Sequence, residues 1–273
     1  MARPVLLGRR LLRGRTCLFL GAFTRFNHLE PSSFIGLGDN HAVHELATKL
    51  GRFGASFDIA YTSRMTEGQQ RENMILVGLD EVNSLTPSVL EKVGSGFRAN
   101  VESMTIEDVR TGRRYSSDWD LDLLEGTPVR DFDEGWFISV GVNGGRTARR
   151  FRADYGVLVR GQNPFAPRRT LLVIAGIYGF GTWAGAQLPF DEEFLRRCAG
   201  YRNFECLYRV EVHKGQLLDT SIVMLRSLPE LPVGVGRPVL SRFRHPGARS
   251  GLPPPYGPGG IPRGATVDDP PGG

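Results

Sequence analysis

The hydrophobic pattern divides most of the chain into short apolar runs that alternate with polar, glycine-containing turns. The run at residues 171–175 is continuous, which is typical of a central strand that is buried on both faces of a sheet. Similar or alternating runs predict further strands at residues 17–23, 57–61, 73–78 and 154–160. Because these strands alternate with helical segments, the pattern predicts an α/β protein.

Helical periodicity is clearest in residues 41–50. Apolar side chains recur there at intervals of three and four residues, at Val43, Leu46, Ala47 and Leu50. The sequence Gly38-Asp39-Asn40 comes directly before this stretch, and Asp39 or Asn40 is predicted to cap the helix.

Three further helices are predicted from turn and capping residues. Thr86-Pro87 begins a short helix that runs to Val93, because proline is favoured in the first turn. A helix begins at Thr182 or later and breaks near Pro189, and Asp191 caps the next one.

Two regions are predicted to be antiparallel. Residues 97–115 alternate around a turn at residues 110–113, and residues 205–213 and 217–226 flank Lys214-Gly215. Residues 116–150, which are rich in acids, are predicted to be a loop. The predicted fold class is therefore α/β. It has a mixed, largely parallel open sheet with helices on both faces, an antiparallel hairpin insertion and a C-terminal hairpin.

Composition limits how much of the chain can fold. From residue 229 onward, Pro, Gly and Arg dominate, and such a segment cannot bury enough surface to offset its ordering entropy. The first residues are rich in arginine, and no acid comes before Glu30. We therefore predict a basic flexible leader at residues 1–16, an α/β ligand-binding domain at residues 17–227 and a disordered Pro/Gly-rich tail at residues 228–273.

Charge and cysteine usage bear on partners and compartment. The net charge of +5 allows weak, salt-sensitive attraction to nucleic acid or anionic lipid. No predicted helix concentrates the basic residues on one surface, so specific nucleic-acid binding is not expected. Cys17, Cys198 and Cys206 form no CxxC pair and lie in apolar contexts, which favours a reducing, cytoplasmic location. A secretory or organelle-import leader is the alternative for the N-terminus.

The glycine-rich turn after residue 175 is the main candidate site. Gly176, Tyr178, Gly179 and Gly181 precede Thr182, where a helix is expected to start. Glycine lets backbone N–H groups approach a ligand, and a helix N-terminus favours phosphate or carboxylate. The spacing matches neither the dinucleotide fingerprint nor a P-loop, because no lysine follows Gly181. The alternative is a turn that only packs the helix against the sheet.

Two other glycine-containing turns, at residues 36–40 and 78–83, would share one edge of the sheet with this turn if the strands are parallel. Asn83 and Asn163 could then donate amide hydrogen bonds, and Asp39 could accept from ligand hydroxyls. Capping by Asp39 and an Asx turn at Asn163 are the alternatives. The predicted ligand-binding residues are Gly38, Asp39, Asn40, Gly78, Asn83, Asn163, Gly176, Tyr178, Gly179, Gly181 and Thr182.

The sequence gives little support for a metal site or a cofactor. His41 and His44 are spaced to share an ion, but they lie on the polar side of the helix and form no HExxH motif. Asp118, Asp120 and Asp122 lack the glycine and final glutamate of an EF-hand loop. We expect no metal site and no cofactor, and no catalytic residue is identified.

Residues 170–190 carry no charge before Asp191, and their length would suit a membrane span. Gly, Thr, Gln and Pro dilute the hydrophobicity of this stretch, and Pro189 ends it. A buried strand, turn and helix explain it better, so no span is expected.

The sequence resembles a group of bacterial α/β proteins without an assigned activity. The resemblance rests on Asp154-Tyr155-Gly156, Asn163-Pro164 and Gly179-Phe180-Gly181-Thr182, and it covers about residues 17–226. It is also loosely similar to Rossmann-like nucleotide-sensing domains of bacterial conflict systems. This resemblance implies the fold and the location of a site, and it implies no reaction.

These observations predict a sensor or regulatory module that binds a phosphorylated or nucleotide-like small molecule. A hydrolase or transferase acting on a nucleotide-like substrate is the first alternative, and an interaction or membrane-associated protein is the second. If Gly181 lies against the ligand, Gly181→Ala is expected to stay folded and to lose the response to that ligand.

Overall fold

The computed structural model describes residues 14–22, 35–80, 82–123, 136–140 and 146–232, without side chains between residues 120 and 150. The chain divides into two units, Met1–Arg237 and Pro238–Gly273, and every described residue belongs to the first. Most of the predicted leader and tail therefore lies outside the described residues. The folded part continues past Ser227, because Leu228 is buried and its N–H donates to the Asn203 carbonyl.

Strands and helices alternate in the first half, and strands dominate the second. The strands are β1 Thr16–Leu20, β2 Phe57–Tyr61, β3 Asn73–Val77, β4 Phe97–Asn100, β5 Thr105–Asp108, β6 Arg113–Ser116, β7 Asp118–Leu123, β8 Trp136–Val140, β9 Arg146–Asn163, β10 Ala166–Gly176, β11 Phe204–His213 and β12 Gln216–Ser227. The α-helices are α1 Leu37–Arg52, α2 Glu67–Gln70, α3 Thr86–Lys92, α4 Gly179–Gln187 and α5 Glu192–Cys198.

The main sheet has a parallel half and an antiparallel half that meet at β10. Its strand order is β12-β11-β9-β10-β3-β1-β2, and β7 and β8 pair with the first part of β9. Strands β2, β1, β3 and β10 are mutually parallel, whereas β9, β11 and β12 follow antiparallel. The α/β class and the mixed sheet are confirmed. The predicted C-terminal hairpin is confirmed as β11–β12, with Lys214 and Gly215 both at positive φ in its turn.

Two hydrophobic clusters use alternate residues of the same strands. Leu18 and Ile75 pack with residues of α1, α4 and α5, whereas Phe19 and Leu76 pack with residues of α3 and of the small sheet β4–β6. Successive strand side chains point to opposite faces, so these clusters cover the two sides of the parallel half. The continuous apolar runs in the sequence follow from burial on both sides.

The predicted loop at residues 116–150 is wrong for a large part of its length. Residues 118–123, 136–140 and 146–150 are strands that belong to β7, β8 and β9. Asp118–Leu123 alternates acidic and apolar residues, which is the two-residue period of a strand. The high acid content hid this period, because acids are unusual in strands.

Helix starts were partly predicted. α1 begins at Leu37 with Gly36 as its cap, so Asp39 and Asn40 lie inside the first turn and the predicted cap is wrong. α4 begins at Gly179, before the predicted Thr182. The start of α3 at Thr86 is confirmed, as is the Asp191 cap of α5.

Buried charges connect the small sheet β4–β6 to the main sheet. Arg226 of β12 donates two hydrogen bonds to Asp108 of β5, at 3.0 and 2.8 Å, and its Nε also donates to Glu205 of β11. Ser95 and the N–H of Gly96 satisfy the second oxygen of Glu205, at 2.7 and 2.8 Å. Arg226 is therefore shared by a buried carboxylate of the small sheet, Asp108, and one of the main sheet, Glu205.

Asp108 makes this connection sensitive to acid. The hydrogen bonds from Arg226 lower the pKa of Asp108 to about 2. Since this value is below that of the unfolded chain, the stabilisation is complete above pH ~4 and is lost as the pH falls through about 2. We expect Asp108→Asn to lower the free energy of unfolding by about 2 kcal/mol at pH 7.

Urea unfolding at a series of pH values measures this effect. The difference between Asp108→Asn and the unsubstituted protein should shrink toward pH 2. A difference that stays constant with pH would contradict the assigned role of Asp108.

Candidate functional site at the carboxyl ends of the parallel strands

The parallel strands end together at one edge of the sheet. Leu20, Tyr61 and Val77 lie at the same level in the registers of β1, β2 and β3, and Val77 pairs with Ile174 of β10. The turns after β3 and β10 therefore lie side by side, and the N–H of Gly78 donates to the Ile174 carbonyl at 3.0 Å.

Two helices begin at this edge in backbone contact. A Cβ atom built on Gly38 of α1 would lie 2.1 Å from the carbonyl oxygen of Gly179 in α4, and one built on Gly179 would lie 2.9 Å from the Cα of Gly38. Only glycine at both positions permits this approach. The predicted turns at residues 36–40, 78–83 and 176–182 are thus brought to a single edge.

A carboxylate from β9 occupies part of the glycine turn. Asp154 is completely buried, and its Oδ2 accepts hydrogen bonds from the N–H groups of Tyr178 at 3.1 Å and Gly181 at 2.7 Å. Its Oδ1 accepts from the Ser117 hydroxyl at 2.8 Å and from the Tyr155 N–H. The anion that these two turn N–H groups bind is therefore a side chain of the protein itself. Sequence reasoning missed this role, and its only signal was an acid within an otherwise apolar strand.

Asp39 and Thr182 form a second buried polar link between the two helices. The Thr182 hydroxyl accepts from the N–H of Gly176 at 3.0 Å, and its interaction with the Asp39 carboxyl group acts to lower the pKa of Asp39. Asp39 is 5% exposed, and burial raises its pKa to about 6. Burial also raises the pKa of Asp154 to about 7, although its four hydrogen bonds act in the opposite direction.

The raised pKa of Asp39 predicts a decline of stability with rising pH. Between pH 4 and 6 the folded protein keeps a proton that the unfolded chain has released, so the free energy of unfolding falls across this window. The expected fall from Asp39 is on the order of 2 kcal/mol. Asp39→Asn should flatten this part of the stability curve, measured by chemical denaturation at each pH. A curve of unchanged slope would contradict the assignment.

Gly181 has a structural role that differs from the one predicted. It is not among the residues at positive φ, and an added Cβ would lie 2.7 Å from the Tyr155 carbonyl oxygen and 2.8 Å from the Gly176 Cα. The close approach is therefore to the protein's own backbone. The Gly181 carbonyl also accepts from the buried Tyr208 hydroxyl at 2.9 Å. Gly181→Ala is consequently expected to perturb folding, which corrects the expectation of a folded variant.

The two predicted asparagines serve the backbone. The Asn83 amide donates to the carbonyls of Phe19 and Val77, and its oxygen accepts from Thr62 and from the N–H of Leu85. It lies at the expected edge and links the ends of β1 and β3 to α3.

Asn163 lies at the opposite end of the sheet, because β9 runs antiparallel to β10. It pairs with Ala166 at the start of β10, whereas the candidate site follows Gly176 at the end of β10. Its amide donates to the carbonyls of Gln70 and Glu72, both at 2.7 Å, and its oxygen accepts from the Phe165 N–H. Asn163 is therefore not brought together with the other predicted residues.

Two groups of aromatic rings include residues in, or directly before, the helices that begin at this edge. Tyr178 is half-buried and makes edge contacts with Trp119 and Phe151, at centroid distances of 5.5 and 5.4 Å. In the second group, His41 of α1 stacks on Trp183 of α4, with ring centroids 4.4 Å apart. His41 and Trp183 had not been predicted as an aromatic pair, because the contact joins distant parts of the sequence.

No group of three or more metal-ligating side chains occurs among the described residues. His41 faces Trp183, and His44 is exposed on the same helix. Likewise, none of the described helices has the length and apolar character needed to cross a bilayer.

Fold and site together define an α/β protein with a mixed sheet and a polar, glycine-lined edge where two helices begin. Comparison of the chain with protein-family models and with curated proteins gave no match.

Proposed function

We propose that this protein binds a phosphorylated or nucleotide-like small molecule where α1 and α4 begin, and that it acts as a sensor or regulatory module. The observation that carries the proposal is the contact between Gly38 and Gly179, which brings two helix N-termini to one point. Each N-terminus has a partial positive charge and N–H groups without partners inside the helix. Two such ends together favour an anion more than either alone.

Asp154 limits where that anion would bind. Its carboxylate uses the N–H groups of Tyr178 and Gly181, so a ligand is left with the first-turn N–H groups at Gly179 and Phe180 and those of α1. A phosphate group would thus lie toward the start of α1, away from the buried carboxylate. The sequence predicts the ligand at the glycine turn after residue 175, whereas the proposed phosphate position is closer to α1.

The neighbouring rings suit a planar ligand group. Trp183 and His41 are stacked and half-buried, and Tyr178, which comes directly before α4, is half-buried as well. Aromatic faces bind nucleobases by stacking, which is worth about 1–3 kcal/mol per base. A nucleotide would place its phosphate at the helix starts and its base against one of these rings.

The proposal includes a Rossmann-like arrangement and a cytoplasmic location. The first is supported by the helices in both hydrophobic clusters and by a candidate site at the carboxyl ends of parallel strands. The second is supported by three cysteines, all buried and unpaired.

A charge substitution at the start of α1 tests the binding proposal. Asn40 is exposed in the first turn of α1, and Asn40→Asp adds a negative charge there without disturbing the core. We expect about a tenfold loss of affinity for the ligand found in a thermal-shift screen of nucleotides and sugar phosphates. Thr48→Asp adds the same charge at an exposed position further along α1 and should leave affinity unchanged.

Binding should also survive in the folded Asn40→Asp variant at higher ligand concentration, because an acid near a helix N-terminus does not destabilise the helix. The proposal fails if no compound in the screen raises the melting temperature at millimolar concentration. It fails equally if both aspartate variants bind as tightly as the unsubstituted protein.

A second candidate function is a hydrolase or transferase that acts on a nucleotide-like substrate. It is favoured by Asp39, whose raised pKa of about 6 suits a general acid or base at the edge where the ligand is proposed to bind. Turnover that is abolished in a folded Asp39→Asn variant, with ligand binding retained, would favour the enzyme over the sensor.

A further inference from the structure

A cavity of about 310 Å³ lies beside the end of α5, apart from the edge described above. Its lining includes Arg160 of β9, Cys198 at the end of α5, and Tyr201 and Arg202 in the turn before β11. Arg160 is six residues beyond Asp154 on the same strand, or roughly 20 Å at the rise of a β-strand. The cavity is therefore separate from the helix starts.

The guanidinium group of Arg160 is only partly satisfied. Its Nη1 donates to the carbonyl oxygen of Arg202, and its buried Nε–H makes no hydrogen bond to any described residue. The carbonyl group compensates one donor but does not neutralise the charge. A buried donor without an acceptor and a cation without a counter-charge are both unfavourable.

No acid among the described residues pairs with Arg160. Burial lowers the pKa of Arg160, Cys198 acts to raise it, and the nearby charge of Arg202 lowers it; no carboxylate contributes. Arg202 itself pairs with Glu230 at 2.6 Å, and both side chains of that pair are more than half exposed. The neighbourhood of Arg160 therefore has an excess of positive charge at a concave surface.

We infer that this cavity binds a small oxyanion, a carboxylate or phosphate group, through Arg160. With Nη1 engaged by the Arg202 carbonyl and Nε buried, Nη2 is the donor of the guanidinium group that is left for an oxygen of the anion. The charge of Arg202 is compensated by Glu230, so Arg160 supplies the uncompensated charge, and the cavity volume suits an anion with a small organic group. This site is independent of the ligand proposed for the start of α1.

Titration of the ¹⁵N-labelled full chain with sodium phosphate and, separately, sodium acetate tests the inference at constant ionic strength. We expect saturable shifts of the Gly200 and Tyr201 amide signals with at least one of the two anions. The anion that saturates the shifts at the lower concentration shows whether the site prefers a phosphate or a carboxylate group. Linear, non-saturating shifts with both anions would overturn the inference.

Two variants and a control make the test specific to the cavity. Arg160→Gln should weaken binding at least tenfold, whereas Arg71→Gln makes the same charge change at an exposed position and should not alter it. If Arg160→Gln does not fold, Arg202→Glu serves instead, because it keeps the backbone carbonyl and reverses the rim charge. Unchanged affinity in whichever of these cavity variants folds would overturn the assignment of the site.

Discussion

Asp154→Ala is expected to lower the free energy of unfolding by about 4 kcal/mol, since it leaves several buried donors without an acceptor. The N–H groups of Tyr178 and Gly181 would lose their acceptor, as would the Ser117 hydroxyl. The start of α4 would also lose the negative charge that the ionised fraction of Asp154 carries at pH 7, which complements the helix dipole. Urea unfolding followed by circular dichroism at pH 7 measures the effect.

Two further substitutions separate the contributions within this cluster. Ser117→Ala removes one donor and leaves the carboxylate in place, so a loss of about 1 kcal/mol is expected. Asp154→Asn keeps the size of the side chain but turns an N–H₂ group toward the donors on one side, so its effect should approach that of alanine. If Asp154→Ala were as mild as Ser117→Ala, the carboxylate would not be what holds the turn.

Gly38→Ala is expected to be strongly destabilising, with a loss of about 3 kcal/mol. The new methyl group would lie 2.1 Å from the backbone of Gly179, and neither helix backbone can yield without moving the whole helix. Because the proposed ligand site is built on this contact, any folded fraction should also bind ligand more weakly. Thermal or urea unfolding gives the stability, and the ligand screen gives the binding.

Gly51→Ala provides the matched control on the same helix. A Cβ atom at Gly51 meets nothing within 4 Å, so only the helix propensity changes. Alanine is favoured over glycine in a helix by up to about 1 kcal/mol, and a small stabilisation is therefore expected. Equal losses of stability at both positions would show that α1 tolerates no alanine in place of glycine. The contact with Gly179 would then not be the cause of the loss at Gly38.

Local patterns predicted the elements well where burial and periodicity agree. The strand at residues 73–77 and the helix that starts at Thr86 follow from an apolar run and from a proline in the first turn. The predicted start of α1 lies after the observed one. Gly36 caps the helix without a side-chain hydrogen bond, whereas Asp39, a typical capping residue, lies inside the first turn. The acidic strand β7 was missed because its composition outweighed its period.

The sequence predicts which edge of the sheet carries the candidate site, but not which polar residues contact the glycine turn there. The glycine turns come together because β1, β3 and β10 are parallel, and the alternation of strands and helices in the sequence predicts a largely parallel sheet. The direction of β9 does not follow from local pattern. It determines that Asp154 reaches the glycine turn and that Asn163 does not. Contacts between distant segments therefore decided which polar residues contact the turn.

The junction of the two sheet halves at β10 also has a consequence for the order of folding. The antiparallel partners β9–β10 and β11–β12 are joined by short turns, so their contacts form with little loss of chain entropy. Pairing of β3 with β10 must instead join residues as distant in sequence as Met74 and Leu171. Non-local parallel pairing is intrinsically slow. We expect the hairpins to form first and to act as the template on which the N-terminal strands, and with them the start of α1, dock last.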